Sequence, residues 1–148
     1  MATTIDTGAP VLAIEVSPDS RYVTTSGGQQ VKFWDSTTFA PAKEATFEFE
    51  VECAALSPSS KYFAVGGTDM WVHLHSFDTL EEVDTGKGHH GPVHSVQFAP
   101  DGDSYASGSE DGTIRIWQIP GVGGSADDVA KGVESLNVAG AAGANNSA

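Results

Sequence analysis

Hydrophobic and polar residues alternate in three stretches of this chain, and the alternation returns with a period of about 40 residues. The stretches begin near Val11, Val51 and Val93. Alternation of this kind is typical of a β-strand that buries one face and exposes the other. A period of this length indicates a repeat architecture. We therefore predict three copies of one structural unit.

Each copy predicts the same order of strand, turn, strand, turn and strand. The first turn contains a proline in all three copies, Pro18, Pro58 and Pro100, next to short polar residues. Proline fixes its own φ, and short polar side chains hydrogen bond back to the main chain, so both favour a tight turn. The second turn of the third copy carries Asp111 and Gly112, a pair that predicts a type I′ hairpin turn.

The segments between copies predict a fourth strand that is richer in charge and lies outermost, where charge protects an exposed edge. These segments read AKEATFEF and LEEVDTGK. Residues 3–7, TTIDT, are interpreted as the outer strand of a copy that precedes the first. No segment before residue 125 has a helical period. We predict an all-β fold of four-stranded antiparallel units near residues 11–47, 51–87 and 93–118, the last of which lacks its fourth strand.

The third copy resembles the WD40 repeat of β-propellers. Gly88 and His89 at its head, Asp111 and Gly112 at its hairpin, and Trp117 near its end carry the resemblance. The longer stretch from AVGGTDMWVHLH to GSEDGTIRIWQ resembles the carboxy-terminal blades of the serine-threonine kinase receptor-associated protein (STRAP) family. The i subunit of eukaryotic translation initiation factor 3 is the alternative relative, because its last blade opens in a similar way. Either resemblance implies a WD40 β-propeller, here a partial one of about three blades.

The WD40 resemblance assigns His89, Ser107, Asp111 and Trp117 to a hydrogen-bonded tetrad that fixes the loops of one blade. The indole N–H donates, the hydroxyl and imidazole both donate and accept, and the carboxylate accepts. The competing interpretation is a Ser-His-Asp nucleophile, which needs an exposed serine on a strained turn. Ser107 instead falls inside a strand pattern without a G-x-S-x-G context. We therefore predict a structural tetrad, no catalytic residue and no enzyme activity.

The other two copies depart from the tetrad. The second copy has Phe47, Val65 and His75 at the histidine, serine and tryptophan positions and retains only the aspartate, as Asp69. The first copy retains the indole as Trp34 and a hydroxyl as Thr25, but it has no Gly-His pair at its head. We expect these two blades to be held mainly by the packing of their side chains.

The predicted strand WVHLH of the second copy carries further candidate chemistry. His73 and His75 point to one face of the strand, as two metal ligands could. No third ligand follows at a recognisable spacing, so we predict no metal ion and no cofactor. Trp71 opens the same strand and is a candidate anchor for a partner protein, together with His73 and His90. Packing within the blade is the alternative role for Trp71.

The formal net charge of -13 at pH 7 restricts the partners that we expect. Lys and Arg hold phosphate backbones, and the chain has 7 of them, so we expect no direct binding to nucleic acid or to an anionic membrane. Proteins with basic surfaces are better candidates. The single cysteine, Cys53, cannot form an internal disulfide, and no secretory signal is visible. We expect residence in the cytoplasm, with the nucleus as a further compartment.

Residues 119–148 predict a flexible tail, because they are rich in Gly and Ala and contain no aromatic residue. The predicted strands amount to about three blades, whereas propellers close with about four to eight. One hypothesis is that the chain contains the last blades of a longer STRAP-like propeller. The alternative is a homodimer in which two chains exchange the strand at residues 3–7.

The STRAP resemblance implies a non-catalytic scaffold that bridges other proteins. Its implied roles are SMN-complex-linked assembly of spliceosomal small nuclear ribonucleoproteins (snRNPs), contact with an RNA-binding partner protein, and regulation of receptor signalling. The initiation-factor resemblance implies instead a scaffold within a translation complex. Neither composition nor spacing decides between these two families.

Overall fold

The computed structural model describes residues 2–121, and within them the regular structure consists of eleven β-strands. In chain order the strands are β1 (Ala13–Val16), β2 (Tyr22–Gly27), β3 (Gln30–Asp35), β4 (Pro41–Thr46), β5 (Val51–Leu56), β6 (Tyr62–Gly67), β7 (Trp71–Ser76), β8 (Glu82–Lys87), β9 (Val93–Phe98), β10 (Ser104–Ser109) and β11 (Ile114–Gln118). No helix among residues 2–121 has the length and apolar character that a membrane crossing requires.

The strands form three antiparallel sheets, which we call blades one, two and three. Blade one has the order β1-β2-β3-β4, blade two has β5-β6-β7-β8, and blade three has β9-β10-β11. Each strand pairs with the next one along the chain, so every connection within a blade is a hairpin. The all-β prediction is confirmed, and the blades lie within the ranges that the repeat pattern predicts.

Residues 3–7 do not pair as an outer strand within the described part of the chain. They lie beside blade one, where the Lys32 ammonium donates to the Thr7 carbonyl at 2.6 Å, and none of them joins a sheet. An outer strand has to pair with the third strand of a blade, and in blade one β3 is already paired on both edges by β2 and β4. No blade before blade one lies among the described residues, so the segment has no third strand to pair with, and its assignment as an outer strand stays a prediction.

The first turn of each blade ends at a residue in the left-handed region. Ser20 has a φ of 62° and Ser60 has a φ of 59°, while Gly102 occupies the same place in blade three with a φ of 78°. In blades one and two the hydroxyls of Ser17 and Ser57 accept main-chain amides that follow the turn. The polar turn residues therefore act as expected, by hydrogen bonding to the main chain.

The hairpin turn between β10 and β11 is not of type I′. Gly112 has a positive φ of 85°, but Asp111 does not, and the Gly112 amide donates to the Ser109 carbonyl at 3.1 Å. The Asp111 carboxylate accepts the Thr113 amide at 2.8 Å, which holds Asp111 in an Asx turn. The turn-type prediction was wrong because this side-chain bond fixes the main chain at Asp111 and leaves the positive φ to the glycine alone.

The hydrophobic core lies between the blades, in two clusters. The cluster between blades one and two contains Val31, Phe33, Ala45, Val51, Ala54, Leu56, Phe63, Val65 and Phe77. The cluster between blades two and three contains Cys53, Ala55, Ala64, Val72, Leu74, Val93, Val96, Phe98, Tyr105 and Ile119. Each blade therefore stacks face to face on the next, as repeat units do when one sheet cannot bury both faces by itself.

An apolar face remains exposed at each end of the stack. Ile14 and Val16 in β1 are 69% and 57% exposed, whereas the equivalent Ala54 and Leu56 in β5 are buried against blade one. At the other end Ile114 in β11 is 66% exposed. The alternating pattern sets which face a side chain occupies, and a neighbouring blade decides whether that face is buried.

Blade three continues beyond the predicted start of the tail. The Ile119 side chain is buried beside Phe98 and Tyr105, and its amide donates to the Asp103 carbonyl at 3.1 Å. The predicted boundary at residue 119 is therefore wrong, because an apolar side chain directly after β11 fills space between blades two and three. The rest of the predicted tail, residues 122–148, lies outside the described residues.

Candidate functional site

The four residues of the predicted tetrad come together in blade three from a loop, two strands and a turn. Ser107 in β10 lies at the centre, with its hydroxyl oxygen 2.8 Å from Nε1 of Trp117 and 2.8 Å from Nε2 of His89. The other imidazole nitrogen of His89, Nδ1, lies 3.3 Å from Oδ2 of Asp111. One chain of hydrogen bonds thus joins all four side chains.

The chemistry of these groups fixes the direction of the chain. An indole only donates, so the Ser107 hydroxyl accepts from Trp117 and gives its own proton to Nε2 of His89. A carboxylate only accepts, so Nδ1 of His89 carries a proton and donates it toward Asp111. Nε2 accepts the Ser107 proton when the imidazole is neutral, and the lowered pKa of His89 favours that form. Burial lowers the pKa of His89, and this effect outweighs the opposite influence of Asp111.

Asp111 ties the loop before β9 to the hairpin turn after β10. Its carboxylate accepts the His90 amide at 2.8 Å and both the amide and the hydroxyl of Thr113, at 2.8 and 2.6 Å. Burial alone would raise the pKa of Asp111, but the hydrogen bonds from Thr113, His90 and His89 outweigh it and hold the pKa well below its usual range. The loop and the turn are organised around a carboxylate that stays charged.

Ser107, His89 and Asp111 are connected like a catalytic triad, but the serine is closed off. Ser107 is 2% exposed, and its oxygen already accepts a hydrogen bond from Trp117. Blade two covers the Trp117 ring, since a Cβ added to Gly86 in β8 would come within 2.8 Å of it. Nucleophilic attack needs a substrate carbon against the serine oxygen. The geometry supports a structural role for the tetrad.

Blades one and two lack the full tetrad and are held differently. In blade one the Trp34 indole donates to the Thr25 hydroxyl at 3.0 Å, which repeats one bond of the tetrad. In blade two the His75 ring stacks on Phe63 at a centroid distance of 5.2 Å and meets Phe47 edge-on at 5.3 Å. Aromatic packing thus occupies the place of the hydrogen bonds in blade two.

Next to this aromatic packing lies a group of titratable side chains, His73, His75, Asp69 and Glu82, which we call the histidine cluster. Nε2 of His73 lies 2.6 Å from Asp69 Oδ2, and Nδ1 lies 3.1 Å from Glu82 Oε1. Nδ1 of His75 lies 3.1 Å from the Leu80 carbonyl oxygen, whereas Nε2 is buried and has no hydrogen-bond partner among the described residues. Burial lowers the pKa of His75 and so favours its neutral form.

The predicted partner-binding residues have different surroundings. Trp71 is 40% exposed, and the Lys87 ammonium lies over its ring, 4.3 Å from the centroid. His90 is exposed in the loop before β9. His73 is buried and stacks on the Phe49 ring at 4.9 Å. This burial argues against the partner-binding role predicted for His73, because its side chain already has neighbours on every polar atom.

Sequence reasoning missed two residues of these sites. Thr113 had a usable signal, since a hydroxyl residue two positions after a turn aspartate commonly completes an Asx turn. Glu82 had none. A register shift between Leu74 and His75 brings Glu82 opposite His75 in the β7–β8 ladder, and such a bulge leaves no fixed ligand spacing in the sequence.

Comparison with known proteins identifies the repeat. The family model described as WD domain, G-beta repeat, matches residues 3–35, 43–76 and 80–118. STRAP from Dictyostelium discoideum is 47% identical over 108 residues, which are 73% of this chain and 37% of that protein. Human STRAP is 35% identical over 108 residues, which are 73% of this chain and 31% of that protein. Human eukaryotic translation initiation factor 3 subunit I is 38% identical over 118 residues, 70% of this chain and 36% of that protein.

Solved structures share the fold. The crystal structure of the RRP9 WD40 repeats superposes with a TM-score of 0.69 at 17% identity, covering 78% of this chain and 37% of that one. The structure of U3-55K gives the same score and identity and is covered to 38%. The chain spans about a third of the length of the curated relatives it matches. Because the family model matches all three blades and more than half of the residues, the chain belongs to the WD40 repeat family.

Proposed function

We propose that this chain acts as a non-catalytic scaffold that binds other proteins. One observation carries the proposal. Ser107, His89 and Asp111, the side chains that could form a catalytic triad, are engaged in the hydrogen bonds that hold blade three. A nucleophile needs an open approach for its substrate, and Ser107 has none at 2% exposure.

The exposed surface supports a basic protein as the partner. The net charge of -13 attracts basic surfaces and speeds their approach. Trp71 offers a half-exposed aromatic ring on blade two, and exposed tryptophans are frequent anchors of protein interfaces. The exposed carboxylates of Glu81 and Asp84 lie in and next to the outer strand β8 of the same blade. His90, which follows Lys87 closely in the chain, extends this candidate surface toward blade three.

A STRAP-like role is the specific form of this proposal. The 47% identity with the Dictyostelium protein over 108 residues, which are 73% of this chain, supports it. The scaffold would then associate with the SMN complex during assembly of spliceosomal snRNPs, contact an RNA-binding partner protein, and take part in the regulation of receptor signalling. These roles would place the protein in the cytoplasm, with the nucleus as a further compartment.

The second candidate is a scaffold of the translation machinery. Human eukaryotic translation initiation factor 3 subunit I is 38% identical over 118 residues, and this similarity supports the alternative less strongly than the STRAP similarity supports the first candidate. The two candidates share the fold and the non-catalytic character and differ in the complex that they join.

Recovery of partners separates the two candidates. A tagged form of the chain is used to capture proteins from cell extract, and mass spectrometry quantifies them for the wild type, Trp71→Ala and the aromatic control Phe39→Ala, which is exposed on blade one. We expect SMN-complex and Sm proteins with the wild type and the control, and less of them with Trp71→Ala. Recovery of initiation-factor subunits instead supports the second candidate, and recovery of neither set contradicts both.

The non-catalytic character has its own test. A fluorophosphonate probe, which labels activated serines, should leave the folded chain unlabelled. Labelling that disappears in Ser107→Ala would show that the serine is accessible and would overturn the proposal.

A further inference from the structure

In the histidine cluster, two imidazole nitrogens and one carboxylate oxygen lie close together. His73 and His75 lie on one face of β7, and Glu82 reaches them from β8, where it is paired with His75. One atom of each of the three side chains lies within 4.8 Å of the other two. Nδ1 of His73 is 3.1 Å and Nε2 of His75 is 4.0 Å from the same oxygen, Glu82 Oε1.

The Leu80 carbonyl fixes the protonation of His75. A carbonyl oxygen only accepts, so Nδ1 of His75 carries the proton and donates it at 3.1 Å. Nε2 of the neutral ring therefore bears a lone pair, and this buried atom has no hydrogen-bond partner among the described residues. The His75 side chain is nine-tenths buried, and this nitrogen lies 4.0 Å from an oxygen of the Glu82 carboxylate. A buried lone pair without a donor costs free energy, and a cation bound between this nitrogen and the carboxylate would remove that cost.

Asp69 fixes the orientation of the other ring. Its Oδ2 lies 2.6 Å from Nε2 of His73, so Nε2 carries a proton and donates it to the carboxylate. Nδ1 of His73 lies 3.1 Å from Glu82 Oε1 and, without a metal ion, donates a proton to this carboxylate. A zinc ion would take the place of that proton. Metal-binding histidines commonly have this arrangement, in which a carboxylate contacts one ring nitrogen and the other nitrogen binds the metal. The carboxylate orients the ring and makes it a better ligand.

We propose that Nδ1 of His73, Nε2 of His75 and a carboxylate oxygen of Glu82 form a binding site for one zinc ion. Two imidazoles and one carboxylate are a donor set that zinc accepts, at bond lengths of about 2.0 to 2.2 Å. The separations of 3.1 and 4.0 Å fit such bonds after small side-chain movements. A groove of about 460 Å³ is lined by His73, Glu82, Phe47 and Phe49, and His75 lies behind it, against Phe47. The ion would enter from this groove, and a water molecule there would be the fourth ligand.

The site has a structural consequence for blade two. This blade has no tetrad, because Val65 and Phe47 stand at the serine and histidine positions. A zinc ion bound to His75 and Glu82 would join β7 to the outer strand β8, at the point where the ladder shifts register. Zinc would then hold blade two, as the hydrogen-bonded tetrad holds blade three.

The test is a calorimetric titration of the chelator-treated 148-residue chain with zinc chloride, together with the visible spectrum of the cobalt(II) form. We expect one zinc ion per chain and the intense absorption bands of tetrahedral cobalt. Glu82→Gln and His75→Phe each remove a ligand while keeping the shape of the side chain, and His75→Phe preserves the stack on Phe63. Each should raise the zinc Kd at least tenfold, and Asp69→Asn, which acts through the His73 ring, should raise it about tenfold.

His94→Gln is the matched control. His94 also lies between two carboxylates, Glu52 and Glu110, but it is exposed and has no second imidazole beside it. The control should bind zinc as the wild type does, and circular dichroism without zinc should be the same for all variants. The proposal is overturned if the wild type does not bind zinc, if Glu82→Gln and His75→Phe bind it equally well, or if only His94→Gln loses it. Nuclear magnetic resonance that shows His73 protonated on both nitrogens in the presence of zinc also overturns it.

Discussion

Ser107 shows how a single side chain acquires its role from its neighbours. Its hydroxyl accepts from Trp117 and donates to His89, so that one oxygen atom satisfies two buried nitrogens from different elements. Ser95, in β9, is the same residue type but points to solvent. The contribution of a serine to stability in this chain therefore depends on the polar groups that would be left unpaired without it.

Ser107→Ala should destabilise the chain by about 1 to 3 kcal/mol, because it leaves Nε2 of His89 and Nε1 of Trp117 buried without a partner. Ser95→Ala is the control and should change the free energy of unfolding by less than about 0.5 kcal/mol. Urea unfolding followed by tryptophan fluorescence measures both. Equal effects of the two substitutions would contradict the role assigned to the tetrad.

Folding shifts the pKa values of different histidines of this chain in opposite directions. Hydrogen bonds that His94 donates to Glu110 and Glu52 raise its pKa, whereas burial lowers the pKa of His89 and of His75. A raised pKa means that the folded state binds the proton more tightly than the unfolded state. The stabilisation from His94 is then complete below its ordinary pKa of 6.5 and is lost as the pH rises through the folded-state value.

We expect the imidazole signals of His94 to titrate above pH 6.5 in a nuclear magnetic resonance experiment on the folded chain. The stability difference between wild type and His94→Gln should be larger near pH 6 than near pH 9, and denaturant unfolding at about those two values measures it. Because His94 is exposed, added salt should reduce the difference. A difference that grows with pH would contradict the assignment.

At the scale of the element, the first turns of the three blades share one backbone conformation but differ in the residue type that adopts it. Ser20 and Ser60 adopt a left-handed φ that costs an ordinary residue about 1 to 2 kcal/mol, and Gly102 adopts it at no steric cost. A glycine also gives the unfolded chain more conformational freedom, and this entropy offsets about 0.5 to 1 kcal/mol of the advantage. The turn of blade three is therefore the least strained of the three.

Ser20→Gly should stabilise the chain by about 0.5 kcal/mol, and the reverse change Gly102→Ser should destabilise it by about as much or more. A Cβ at Gly102 would meet only Pro58, at an ordinary contact distance of 3.4 Å, so φ and not crowding is tested. Thermal unfolding of both variants provides the measurement. The same sign for the two substitutions would show that the turn conformation is not what sets their effect.

The strands could be predicted from the sequence because each repeat alternates within itself, and the tetrad could be predicted because its four residues belong to one repeat. Features that depend on another segment could not. Residues 3–7 resemble a strand but meet no free edge, and Ile119 is buried only because blade two lies beside it. Glu82 joins the histidine cluster through a bulge, and a bulge is a property of two paired strands that neither sequence shows alone.

At the scale of the whole molecule, the two open faces complement each other. Blade one exposes Ile14 and Val16 on the face that blades two and three bury against a preceding blade. Blade three exposes Ile114 on the face that blades one and two bury against a following blade. The face of one copy therefore matches the opposite face of another, and such a head-to-tail contact leads to a ring if it closes and to a longer assembly if it does not.

We predict that the isolated chain self-associates, with an average mass above 15.4 kDa that rises with concentration in light scattering after size exclusion. Ile14→Lys and Ile114→Lys should each be monomeric, because every head-to-tail contact needs one β1 face and one β11 face, and either charge disrupts one of these two faces. An equimolar mixture of the two variants should form dimers and nothing larger, since each pair retains one intact contact between a β1 face and a β11 face. If Ile114→Lys alone still dimerises, the contact joins two identical faces, and if the wild type is monomeric at every concentration, residues 2–12 cover the β1 face well enough to prevent association.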